Sequence, residues 1–192
     1  MPNRGKDYFM STKTEATLED LYRVPDNGKA EIVNEELVLM SPTGGVPGRA
    51  SGRIYRSLDD YERSAGSGYA FPDNVGFTVN LSHRRSFSPG AAFYVGELKG
   101  GQFLDGAPAS AVKVRSEGDY GARAEHEMAA KRADYFVAGT LVVWDVDVLN
   151  EKVVRVYRAS DHQNPKVYRS GEIAEAEPAV PGWSMPVDEL LP

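Results

Sequence analysis

No cysteine occurs in the 192 residues, so disulfides and thiolate metal centres are excluded. Histidine is scarce: His83, His126 and His162 stand far apart, without the i, i+4 or HExxH spacing of a zinc site. No apolar run approaches the roughly 18 residues needed to cross a bilayer, so no membrane partner is expected. Residues 1–14 lack the apolar stretch of a secretory signal, and a cytoplasmic location is the default expectation. Basic excess is also missing. Against 28 acidic residues stand 22 Lys and Arg, a net charge of −6, which argues against indiscriminate binding of nucleic acid. A local basic groove is still allowed, because no Asp or Glu falls between residues 81 and 96, whereas acids are common after 172. What is present is ordinary globular composition. At 41% hydrophobic and 26% charged, the chain has enough apolar residues for a core and too many for a disordered protein.

Residues 1–16 read as a loose tail and 17–192 as a single domain. Thr17-Leu18-Glu19-Asp20 is an N-cap followed by acids, opening a short helix through Tyr22. Residues 29–33 and 36–40 alternate as strands, and Asn34-Glu35 between them predicts a hairpin. Ser41-Pro-Thr-Gly-Gly45 breaks the chain. Ile54, Leu58 and Tyr61 then give residues 50–65 one buried helical stripe. Residues 69–71, 76–80 and 91–95 read as short strands. In 109–115, Val112 and Val114 face one way, and Ala111, Lys113 and Arg115 the other. Residues 122–138 read as a helix with Met128, Ala129, Ala133 and Phe136 inward and Gly139 as its stop. Residues 140–148 are the strongest strand, and 152–157 should pair with it across a turn. The acidic tail ends, over 185–190, in an edge strand and a turn. These elements predict an α/β (α+β) fold with a central mixed β-sheet flanked by helices.

The order of certain residues is more informative. Glu31 lies in a hairpin strand (Ala-Glu-Ile-Val-Asn), and a long helix follows. Next come Ser88-Pro89-Gly90 opening a strand, the strand Ala-Val-Lys-Val-Arg-Ser, a helix with Lys131-x3-Tyr135-x3-Gly139, and finally Leu-Val-Val-Trp-Asp-Val. From about residue 17 to 158 this resembles a bacterial restriction-endonuclease family of the PD-(D/E)XK nuclease superfamily. The resemblance implies the restriction-endonuclease-like fold, metal-dependent endonuclease activity on nucleic acid (DNA foremost), Mg²⁺ or Mn²⁺ as cofactor, and a homodimer. It further implies a catalytic set made of a hairpin Glu, an Asp after Pro, a Glu in a Val-Glu-Val strand and a Lys on the next helix. The carboxylates hold a metal that polarises the phosphate and activates water, and the Lys offsets developing charge.

Carried over by position, the catalytic set is Glu31, Gly90, Lys113 and Lys131. Glu31 (metal ligand) and Lys131 (water and phosphate positioning) match. Gly90 stands where the pattern has Asp, and Lys113 where it has Glu. The two exchanges move the local formal charge by +3, from +1 and +2 respectively. Hard divalent ions need anionic oxygen, so this copy is expected to bind no metal and to cleave little or nothing. Lys113 is expected to fill the cation position and pair with Glu31. Glu97, Asp105, Glu117 and Asp119 lie in flanking loops, unsuited to replace the lost ligands. Asp145 and Asp147 share one face of their strand and read as a solvated strand end.

Arg49, Arg53 and Arg56 lie along one face of the long helix, and His83-Arg84-Arg85 forms a basic loop before Gly90. Arg49, Arg53, Arg84 and Arg85 are the candidate nucleic-acid contacts. Thr43-Gly-Gly-Val-Pro-Gly48 lacks the Lys-Ser/Thr of a phosphate loop and reads as a turn. Ser88, Ser110 and Ser116 have no His–acid companions to suggest a hydrolase triad. Two other readings fit the same residues. One is a non-catalytic nucleic-acid-binding module gripping phosphate without metal, and the other is a dimeric scaffold.

Overall fold

The computed structural model describes residues 15–24 and 28–192. Residues 1–14 of the expected tail lie outside the described residues. Helix α1 (Leu18–Tyr22) begins with a capping box: the Thr17 hydroxyl accepts the Asp20 N–H, and the Asp20 carboxylate accepts the Thr17 N–H. Strands β1 (Ala30–Val33) and β2 (Glu36–Leu39) form the expected hairpin. Its turn residues, Asn34 and Glu35, have φ of 49° and 64°, the left-handed pair that matches strand twist.

Helix α2 (Gly45–Ala65) starts five residues before the apolar stripe does. The Gly-Gly-Val-Pro-Gly stretch is its first turn and not a separate loop. Pro47 sits where a helix has no N–H to satisfy, so it does not break the helix. Ala50, Ile54 and Leu58 face the sheet, and left-handed Gly66 ends the helix.

Six strands make the main sheet: β3 (Tyr69–Phe71), β6 (Ala91–Tyr94), β8 (Ser110–Val114), β9 (Val142–Asp147), β10 (Val153–Arg158) and β11 (Asp161–Tyr168). Their order is β11-β10-β9-β8-β6-β3, with β8 and β9 parallel and the other pairs antiparallel. Strand β11 is unexpected from sequence. Its residues up to Lys166 are polar apart from Pro165, without alternation, and it is an edge ordered by pairing with β10. A small sheet is formed by β4 (Phe77–Thr78), β5 (Ser86–Phe87) and β7 (Leu104–Asp105).

Alternation divides the core. Val112, Val114, Trp144, Val146, Val154 and Val156 face α2, whereas Ala92, Ala111 and Val143 face the small sheet and α3 (Ala122–Val137). The tail is not an edge of the main sheet. Strands β12 (Ile173–Glu175) and β13 (Ser184–Pro186) pair with each other. Their ribbon lays Trp183, Met185 and Leu190 onto the α2 side, with Trp183 4.9 Å from Trp144 between ring centroids. Burying each such side chain contributes on the order of 2 kcal/mol.

Candidate active site

Three segments converge on Glu31. The β1 strand is stitched to residues 83–88: Arg85 N–H donates to the Ile32 carbonyl (3.0 Å), Asn34 N–H to that of His83 (2.7 Å), and Ile32 N–H to the Ser86 hydroxyl (2.9 Å). This leaves the Glu31 side chain 2% exposed. A buried carboxylate needs compensation, and Glu31 has it three times over. Its Oε1 accepts the Ser88 N–H at 2.7 Å and Lys131 Nζ at 2.7 Å; its Oε2 accepts Arg84 Nη1 at 2.8 Å.

Lys131 and Asp134 share the inner side of α3, one helical turn apart. Asp134 accepts Arg84 Nε at 2.8 Å and lies 2.8 Å from His83 Nε2. The result is an alternating chain of charge, Lys131–Glu31–Arg84–Asp134, with the His83 ring at its end. Burial pushes the Lys131 amine below the ordinary lysine value, with Glu31 opposing the shift. Tyr135, one turn beyond Lys131, is 4% exposed and stacks on Phe87 at 3.9 Å. Its hydroxyl has no hydrogen-bond partner among the described residues, and burial together with the Glu31 charge holds its pKa well above the usual tyrosine range.

Gly90 is two residues past Ser88, and its N–H donates to the Val112 carbonyl at 2.8 Å. Lys113, the next residue of β8, is thus Gly90's neighbour across the sheet. In register beyond it come Asp145 of β9 and Arg155 of β10. Glu31 and Lys131 are therefore joined as the sequence pattern expects, and Gly90 follows close along the chain. The expected Lys113–Glu31 pair does not form. Lys113 is 43% exposed and its ammonium lies 2.6 Å from Asp119; Arg84 and Lys131 are the cations on Glu31.

Asp145 and Asp147 are not a solvated strand end: they are 2% and 1% exposed. Asp145 accepts both Nε and Nη2 of Arg115 at 2.6 Å, and the same guanidinium reaches Glu125 of α3. Asp147 accepts the Tyr120 hydroxyl at 2.8 Å and caps the β9–β10 turn through the N–H groups of Leu149, Asn150 and Glu151. Among the other acids, Glu97 and Glu117 are exposed, and Asp105 pairs with Lys99. Among the described residues, no group of three or more His, Asp or Glu side chains is placed to hold a metal ion. With one carboxylate already triply bonded, a glycine and an ammonium, the residues present do not fit a hard divalent cation.

Of the expected nucleic-acid contacts, Arg49 and Arg85 are exposed, as is Arg56. Arg53 is half-buried and donates to the backbone carbonyls of Glu189 (2.5 Å) and Leu191 (3.0 Å). Arg84 is buried within the ion-pair chain. Sequence reasoning missed the roles of Asp134 and Arg115. The signal for Asp134 was available, since it lies three residues past Lys131 on a helix.

A solved structure from Anabaena variabilis ATCC 29413, described as a putative nuclease belonging to DUF820, superposes with a TM-score of 0.71 at 15% identity. The match covers 91% of this chain and 97% of that one, so the two share a fold. No curated protein matches. The Uma2 family model, described as "Putative restriction endonuclease", matches residues 16–188. The chain therefore belongs to the Uma2 restriction-endonuclease-like family.

Proposed function

We propose that this chain derives from a metal-dependent phosphodiester hydrolase acting on nucleic acid, DNA foremost, and that it is itself impaired in cleavage. The observation that carries the reading is the pair Gly90 and Lys113. Gly90, immediately before β6, is the neighbour of Lys113 on β8; Ser88, two residues earlier, donates its N–H to the Glu31 of a Glu31–Lys131 pair of the kind the family uses, and neither Gly90 nor Lys113 is a carboxylate. With Mg²⁺ or Mn²⁺ as the family cofactor, loss of both ligands removes the site's means of activating water.

The test is cleavage of labelled DNA and RNA at millimolar Mg²⁺ or Mn²⁺, comparing the native chain with the double variant Gly90→Asp, Lys113→Glu. A Cβ at residue 90 would lie 3.3 Å from both the Ser51 hydroxyl and the Val112 carbonyl. The exchange therefore asks both the Ser51 side chain and the Val112 backbone carbonyl to give by a few tenths of an ångström, while the backbone at residue 90 is not left-handed. Cleavage gained only by the double variant supports the reading. Cleavage by the native chain, abolished in Glu31→Gln, would show that other groups carry the metal. Activity in none of the native chain, the double variant and the double variant carrying Arg84→Gln would count against descent from a nuclease site.

A second reading is metal-free binding of nucleic acid. Arg85 is exposed, and its backbone N–H donates to the carbonyl of Ile32, next to Glu31, so a basic residue stands beside the candidate site. Binding that weakens steeply with salt and ignores chelator is its signature. A cytoplasmic location and a homodimer complete the proposal, the latter checked by mass in solution.

A further inference from the structure

Arg84 is fixed from every side. Its backbone bridges to Val33 and its carbonyl accepts the Leu81 N–H. One end of its guanidinium holds Glu31 and the other holds Asp134, each at 2.8 Å, while its centre lies 5.1 Å from the Phe87 ring centroid. Lys131, by contrast, is held at one point and its side chain is 29% exposed, so it can swing aside. Of the two Glu31 oxygens, Oε1 carries two donors, whereas Oε2 carries Arg84. A cation approaching Glu31 would have to take Oε2, beside a guanidinium that cannot leave without costing Asp134 the partner of its Oδ2.

We infer that Arg84 is the resident cation of this site, neutralising Glu31 in place of a divalent ion and opposing metal binding even after the two missing carboxylates are restored. The inference rests on reading the site as a former metal centre. A doubly charged ion about 6 Å from a guanidinium loses about tenfold in affinity even at the dielectric constant of water, and more in a partly buried cleft. Arg84 therefore makes the replacement of Gly90 and Lys113 hard to reverse: the acids alone recreate only a weak site.

The experiment is calorimetric titration of Mn²⁺ alone into the double variant Gly90→Asp, Lys113→Glu and into the same protein carrying Arg84→Gln. Glutamine keeps a donor for Asp134 or Glu31 but removes the charge. At least tenfold tighter binding in the triple variant is expected. Equal affinity in the two proteins overturns the inference. A second measurement needs no variant. The melting temperature of the native chain should be the same with chelator and with millimolar Mn²⁺, because the cation position is filled from within; a rise of several degrees with Mn²⁺ overturns the inference even if the glutamine variant does not fold. The two readings fail separately. A triple variant that binds Mn²⁺ tightly without cleaving nucleic acid sustains Arg84's role and counts against the nuclease reading. A double variant that binds as tightly as the triple and cleaves does the reverse.

Discussion

At the scale of single residues, the chemistry of this chain is a matter of which cation answers which buried carboxylate. Glu31, Asp145 and Asp147 are all nearly inaccessible, and each is answered differently: Glu31 by Arg84, Lys131 and a backbone N–H, Asp145 by a forked arginine, and Asp147 by a hydroxyl and a turn. Asp147 yields a pH prediction. Burial pushes its carboxyl upward, but the Asn150 N–H, the Tyr120 hydroxyl and the Glu151 and Leu149 N–H groups outweigh that, leaving it below the ordinary Asp value. The folded state thus holds this proton less tightly than the unfolded chain. The resulting stabilisation is complete above about pH 4 and is lost as pH falls through the folded value. Denaturant unfolding should find Asp147→Asn about 1–3 kcal/mol less stable at neutral pH, with the gap closing in acid. A gap that stays constant to low pH would contradict this account. Glu31 and Lys131 were singled out in the sequence by type and order, and the structure pairs their side chains. The place of Arg84 was not readable there: a basic tripeptide shows that cations are near the site, but only the fold shows which of them turns inward.

At the scale of elements, the departures from sequence expectation have local causes. The first turn of α2 was hidden by its own glycines and by a proline that is harmless at that position. In α3, Ala129 and Ala133 are exposed although they were expected inside; the inner side carries Lys131, Asp134 and Tyr135, because this helix faces a polar site. Periodicity of apolar residues cannot find such a face. Tyr135 is the buried residue of α3 among those described, Phe136 packs half-buried against the same cluster, and the remaining ties are Glu125–Arg115, Lys131–Glu31, Asp134–Arg84 and the Arg132 guanidinium 3.7 Å over the Tyr157 ring. A helix with so little apolar anchorage belongs to the low-stability end of the molecule. Amide hydrogen exchange should therefore release α3 before β8 and β9 under native conditions. Protection of α3 equal to that of the central strands would mean that the polar contacts alone bind it as firmly as a core.

At the scale of the whole molecule, the mixed sheet and its flanking helices followed from the alternation of Val112 and Val114 against Ala111 and Lys113, and from the long apolar strand around Trp144. The tail was less legible. Its buried residues, Ala174, Ala176, Trp183 and Met185, are spread through polar and proline-rich sequence, and what orders them is the Trp144 surface that they cover. The family fold is kept, and on the proposal made above its centre holds ion pairs of the chain's own making where the family would have carboxylates and metal. The most direct test of that claim is a Mn²⁺ titration of the native chain, with free ion counted by electron paramagnetic resonance. The account predicts that the native chain leaves the added Mn²⁺ free, as Glu31→Gln does. One Mn²⁺ bound per chain, lost on Glu31→Gln, would contradict it.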